Sequence, residues 1–204
     1  MSDEEELLID RDEYLAAGVH IGTKSTHVDM DNYIFHVKKN QLAVLNLDKT
    51  DQQIRKAADF LADYTPEEIL VVGRKEEARD SINLFVEAIG AEKNIGRFMP
   101  GTLTNPNSEL FVEPEVLVVT DPEQDRQAIK EASQANIPVI AFADSGDKLD
   151  DIDIPIPANN KAEGSISTVY YLLAREVIGI RGGDFEHELE DFQPELEEEE
   201  DDEE

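Results

Sequence analysis

Short apolar runs, rich in β-branched residues, alternate along this chain with stretches whose apolar positions recur at helical spacing. Ile69-Leu70-Val71-Val72, Val116-Leu117-Val118-Val119 and Ile137-Pro138-Val139-Ile140-Ala141-Phe142-Ala143 are continuous enough to predict strands buried on both faces. Between them, Ile82, Phe85, Val86 and Ile89 mark one helix ending at Gly90, and Ala128, Ile129 and Ala132 mark another from about Glu123 to Ala135. Upstream, Asp48 can cap a helix carrying Ile54, Ala57, Ala58, Leu61 and Ala62, with Pro66 at its exit. Ile152 to Pro157 predicts a short last strand at a sheet edge, where proline is tolerated. A final helix starts near Ser165 and runs through Val169, Tyr170, Leu172, Leu173 and Val177.

The front of the chain follows a different period. Asp10, with Glu13 at capping-box spacing, opens a short helix that stops at Gly18. Tyr33 to Val37 and Leu42 to Leu47 then read as two strands joined by the basic polar turn Lys38-Lys39-Asn40-Gln41. The whole predicts an α/β fold: a doubly wound, mainly parallel sheet flanked by helices in three layers, flavodoxin-like, with an N-terminal hairpin extension. Ligands of such sheets gather at the carboxyl ends of the strands. That edge should present Arg74, Lys75, Thr120, Asp121, Asp144, Ser145 and the segment Ala158-Asn159-Asn160-Lys161.

Charge divides the chain. Its 204 residues carry 48 acidic and 18 basic side chains, a net −30. Met1 to Glu13 holds seven acids and one base, and Asp184 to Glu204 holds fourteen acids and no base, leaving 27 acids against 17 bases between them. The expected organisation is therefore one body over 10–183, an acidic disordered tail over 1–9 and an acidic tail over 184–204. Phe185, Leu189 and Phe192 are the only large apolar anchors in the second tail before its acidic run. Such a surplus either serves as a general solubility charge on the surface or suits a cytoplasm of high salt, where a Debye length of roughly 3 Å near 1 M screens acidic repulsion. The absence of cysteine rules out disulfides, a thiolate zinc site and a cysteine nucleophile. The N-terminus has no targeting pattern, so the protein is expected to be cytoplasmic.

Enzyme motifs do not occur: no Walker loop, dinucleotide glycine fingerprint, nucleophile elbow or His-Glu-x-x-His helix is present. His20, His27 and His36 lack partner ligands at metal spacing, so neither a metal nor a cofactor is expected. Asp121 and Asp144 close consecutive strands and, with Lys161, could imitate a magnesium and phosphoacceptor site. Asp121-Pro122 fits an ordinary helix cap better. What stands out is the turn-rich loop Gly96-Arg97-Phe98-Met99-Pro100-Gly101-Thr102-Leu103-Thr104-Asn105-Pro106, hung directly ahead of a buried strand. Asn159-Asn160-Lys161 sits before a helix start whose free N–H groups favour a phosphate, or else caps that helix. Scattered cations and amides without a catalytic constellation suit RNA contact through phosphates and 2′-hydroxyls. The alternative is a small-molecule or phosphoryl-transfer domain of the same architecture. A weaker third reading is an interaction scaffold using the acidic tail.

The central loop with the following Val119-Thr120-Asp121-Pro122 resembles the signature of small-subunit ribosomal protein two, the S-two family, in its archaeal and eukaryotic form. The resemblance extends from about Tyr14 to Glu176. It takes in Ala17 to Lys24, Lys49-Thr50, Ala57 to Leu61, Ile137 to Ala141, Asn159 to Lys161 and Tyr170 to Glu176. It implies a doubly wound domain near the head–body junction of the small ribosomal subunit, bound to ribosomal RNA and neighbouring ribosomal proteins. It also implies RNA contacts at His20, Lys24, Arg97, Thr102, Thr104, Asn105, Asn159, Asn160 and Lys161, with Lys38, Lys39 and Lys49 as auxiliary phosphate contacts. Asn46-Leu47-Asp48 runs straight into a helix where bacterial members insert a helical hairpin, so the shorter archaeal form is implied. The chain departs from the family's basic pattern at Gly73 to Glu77 and at Ala162-Glu163.

Overall fold

The computed structural model describes residues 7–192. The disorder expected of Ser2 to Glu6 and the solvated run expected from Glu195 onward lie outside the described residues. Five parallel strands form the central sheet: β3 (Ile69–Gly73), β4 (Glu92–Ile95), β5 (Val116–Val119), β6 (Val139–Ala143) and β7 (Ile154–Pro157). Their order across the sheet is β4-β3-β5-β6-β7, so the chain reverses its direction of winding between β3 and β5. The proline-bearing β7 is an edge strand, as its composition demands. The other edge, β4, reads Glu-Lys-Asn-Ile. Its polar side chains hid it from a search for apolar runs.

The two faces of the sheet are covered unequally. Ile69, Val71, Val116, Val118, Ile140, Phe142, Ile154 and Ile156 pack against α2 (Leu47–Ala62), α3 (Arg79–Ile89) and α5 (Glu163–Ile180), the larger core. The alternate residues Leu70, Val72, Leu117, Val119, Val139 and Ala141 face only one helix, α4 (Arg126–Ala135), through Ala128, Ile129 and Ala132. Phe98 and Leu103, both from the central loop, complete its buried part, with Ile137 and Ile152 packed at the margin. A loop that must bury two large side chains on a sheet is part of the core rather than an ornament on it.

Helix boundaries follow local chemistry. The cap of α2 is Asn46, whose side-chain oxygen accepts from Asp48 N–H at 3.0 Å, and not Asp48 itself. Asp121 accepts from the N–H groups of Glu123 and Gln124 at 2.9 and 3.1 Å, fixing the turn ahead of α4 in the manner of a cap. The first helix, α1 (Arg11–Ala16), buries Tyr14, whose hydroxyl donates to the buried Asp51 at 3.0 Å. Leu8 N–H donates to the same carboxylate at 2.7 Å, and Arg175 donates to the Leu8 carbonyl. Leu7, Leu8 and Ile9, placed by composition in an acidic tail, thus lie against the core. At the other end Phe192, in the single turn α6 (Leu189–Phe192), is buried beside Tyr171 and Phe185. Among the described residues no helix is long and apolar enough to cross a membrane.

Candidate nucleic-acid interface

Twelve residues were expected to face RNA, and the structure sorts them into three places. The first is an antiparallel unit ahead of α2, made of β1 (Ile34–Val37) and β2 (Ala43–Leu45). His20 to Thr23 adds alongside β2 as a third line of chain, through Leu45 N–H to His20 O, Gly22 N–H to Ala43 O and Ala43 N–H to Thr23 O. This pairing gathers His20, Lys24, Lys38 and Lys39 on one appendage, and all three lysines are exposed. Burial first, and then the Lys38 ammonium, hold His20 below the ordinary imidazole range, so its ring is neutral near pH 7. Lys49 is exposed on the first turn of α2.

The appendage lies across the carboxyl end of the sheet. Thr23 N–H donates to the Ser145 hydroxyl at 2.8 Å, and His27 N–H donates to the Ser145 carbonyl at 2.8 Å. Gly22 permits this approach, since a β-carbon there would stand 2.7 Å from the Ser145 oxygen. Met30, Leu45 and Ala143 form the small core that glues the unit down.

The second place is the central loop, where the expectation is half corrected. Arg97, Met99, Thr104 and Asn105 are exposed, but Thr102 is buried, and its hydroxyl donates to the Met99 carbonyl at 2.7 Å. Thr102 therefore holds the turn from inside rather than facing solvent. The loop is fastened by Glu131 of α4, a buried carboxylate that the helical pattern gave no reason to single out. It accepts from Gly101 N–H at 2.8 Å, Leu103 N–H at 3.1 Å, the Thr104 hydroxyl at 3.3 Å and Gln127 at 2.7 Å. Burial by itself would raise this carboxyl, yet those four donors outweigh it and hold the group below its ordinary range. Gly101 sits at φ 93°, a left-handed turn that directs its N–H to Glu131. The sequence did hold a hint: Glu131 occupies the same helical stripe as Ala128 and Ala132, where a carboxylate requires donors.

The third place is the segment before α5. Asn159 and Asn160 are buried, and the expectation that they face RNA is corrected by their partners. Asn159 accepts from the N–H groups of Lys161 and Ala162 at 3.1 and 3.3 Å and donates to the Gly18 carbonyl, closing the turn that leads into α5. Asn160 donates to the Phe142 carbonyl at 3.1 Å and to Asp147 at 2.8 Å. Lys161 alone is exposed, 3.3 Å from Asp144, at the rim of a cleft of about 1200 Å³ that Thr23, Ser25, Arg126, Lys130 and Asp147 also line.

The reversal point between β3 and β5, where such sheets take ligands, is filled from within. Lys75 stands there almost fully buried, its ammonium 2.5 Å from Asp121 and donating to the Asn160 carbonyl. Beside it, burial and then the Asp121 carboxylate push Asp125 up to about 7. Burial likewise pushes Asp147 up to about 6.

One compositional signal unites the exposed groups. The three longest stretches without a carboxylate are Tyr14–Val28, Asn32–Leu47 and Lys93–Ser108. In so acidic a chain these windows mark where negative charge has been kept off the surface, and they contain every exposed candidate except Lys49 and Lys161.

The fold and its surface define a doubly wound α/β protein with an antiparallel extension laid over the ligand end of its sheet. Comparison with known proteins makes this more specific. The family model described as Ribosomal protein S2 matches residues 14–110 and 107–179. Over 197 residues the chain is 46% identical to the small ribosomal subunit protein uS2 of Haloquadratum walsbyi, covering 96% of this chain and 71% of that one. Over 198 residues it is 42% identical to the small ribosomal subunit protein uS2 of Picrophilus torridus, covering 95% and 99%. The chain belongs to the ribosomal protein S2 family.

Proposed function

We propose that this chain is a structural constituent of the small ribosomal subunit, binding ribosomal RNA and neighbouring ribosomal proteins near the head–body junction and so supporting translation in the cytoplasm. The observation that carries the reading is the family match across most of the body, with relatives that bear the name of a small-subunit protein. The RNA contacts are assigned to His20, Lys24, Lys38, Lys39, Lys49, Arg97, Thr104, Asn105 and Lys161, with Thr102, Asn159 and Asn160 shaping the backbone beneath them. A non-enzymatic role is favoured because Lys75 occupies the position where a flavodoxin-like sheet would seat a substrate. The archaeal form and a high-salt cytoplasm are favoured by the archaeal relatives and by the net charge of −30. The organisation proposed is one body over 10–183 with acidic ends at 1–9 and 184–204, rooted through Leu8 and Phe192.

Sedimentation of a cell extract on a sucrose gradient tests this. Nearly all of the protein is expected in the small-subunit peak, and a protein found mainly in the soluble fractions contradicts the proposal.

A further inference from the structure

The β1–β2 hairpin carries an aromatic side chain that packing within the molecule does not explain. Phe35 is 69% exposed, and Val37 beside it 52%. The ladder breaks at this point: Ile34 lies opposite Leu45 and His36 opposite Val44, so Phe35 is the extra residue of a β-bulge. Bulges on edge strands re-aim a side chain, and this one delivers a phenyl ring to solvent. The His36 ring stands nearly perpendicular to it, with centroids 5.3 Å apart, a T-shaped contact that steadies the phenyl while most of its surface stays exposed. Lys38 and Lys39 follow within four residues, both exposed, in a window of sixteen residues without one carboxylate.

We propose that Phe35 is a stacking platform for one unpaired base of the small-subunit RNA, with Lys38 and Lys39 holding the adjoining phosphates. The proposal rests on the ribosomal reading above and names the kind of nucleotide that the hairpin takes. A single-stranded nucleotide uses all three side chains together, one ring face for the base and one ammonium for each phosphate. A protein segment would have to bring both an apolar residue and carboxylates to do the same. Stacking also solves a problem set by the chain's composition. Phosphate contacts weaken steeply with salt, whereas a base on an aromatic face depends little on ionic strength. An acidic protein working at high salt therefore gains most from an exposed ring inside a carboxylate-free window.

The test uses small subunits stripped of this protein and titrated with the full-length chain, with the 2′-hydroxyl reactivity of every RNA nucleotide recorded. Phe35→Ala is expected to weaken binding by about tenfold while leaving its salt slope unchanged. One unpaired nucleotide should gain reactivity, and Phe35→Trp should restore both affinity and protection. Equal affinity of Phe35→Ala and the parent overturns the proposal. So does weakened binding with no nucleotide altered, which would assign the ring to a protein neighbour. If the parent chain itself fails to rebind, the ribosomal reading falls first and the stacking site with it.

Discussion

The hairpin window, Asn32–Leu47, and the loop window, Lys93–Ser108, are equally free of carboxylates, yet they are built on opposite mechanical principles. The loop is half core. Phe98 and Leu103 complete one layer of the sheet, and a buried carboxylate ties down two amides and a hydroxyl, so its exposed Arg97 and Asn105 ride on a fixed backbone. The hairpin is an appendage, held by Met30, Leu45 and the Ser145 contacts, and β1 is largely exposed. The lesson is that one compositional signal can mark two kinds of contact: a preorganised one inseparable from folding, and a projecting one that can be altered with the body intact.

The sharpest break in that comparison is Glu131→Ala. Removing it strands the Gly101 and Leu103 amides, so the expected loss is about 3 kcal/mol of stability, read by denaturant titration, with hydrogen-exchange protection lost in the loop and kept in β2. A loss under about 1 kcal/mol would show that the loop does not depend on this anchor. Acidity provides the next test. Glu131 is held below its ordinary range, so its contribution is present above the unfolded pKa and disappears as pH falls through the folded one. Asp125, raised to about 7, has the opposite sign: its contribution is complete below the unfolded value and is lost as pH rises through about 7. Asp125→Asn should therefore flatten the decline in melting temperature between pH 5 and pH 8, an effect on the order of 1–3 kcal/mol. An unchanged decline would mean that Asp125 is already ionised in the folded protein. Smaller still, Thr102→Val should cost about 1 kcal/mol by thermal melting and leave the salt dependence of RNA binding untouched, because its hydroxyl works inside the turn.

Much of the fold was legible because β3, β5 and β6 are buried on both faces and announce themselves as apolar runs, while Gly90 and Pro66 mark helix exits. Edge strand β4 was not legible, since one polar turn of sequence, Glu92-Lys93-Asn94, looks like any exposed segment. The site was legible in part. Lysines that must stay solvated can be read from sequence, but Asn159 and Asn160 show that amides ahead of a helix can be taken up within the body, one closing the turn before α5 and the other holding the Phe142 carbonyl. Glu131 and Phe35 escaped notice for opposite reasons: one is a charge buried among donors from a distant loop, the other an apolar residue turned outward by a bulge. Both depend on pairings between segments far apart in the chain or on a slip of register, which residue type alone does not encode.

The most direct measurement of the central claim, that projecting cations on the hairpin grip ribosomal RNA independently of folding, is the salt slope of rebinding for Lys38→Ala/Lys39→Ala on stripped small subunits. The account predicts stability within about 0.5 kcal/mol of the parent and a slope lower by about two. An unchanged slope, with the double variant folded and bound as tightly as the parent, would contradict it.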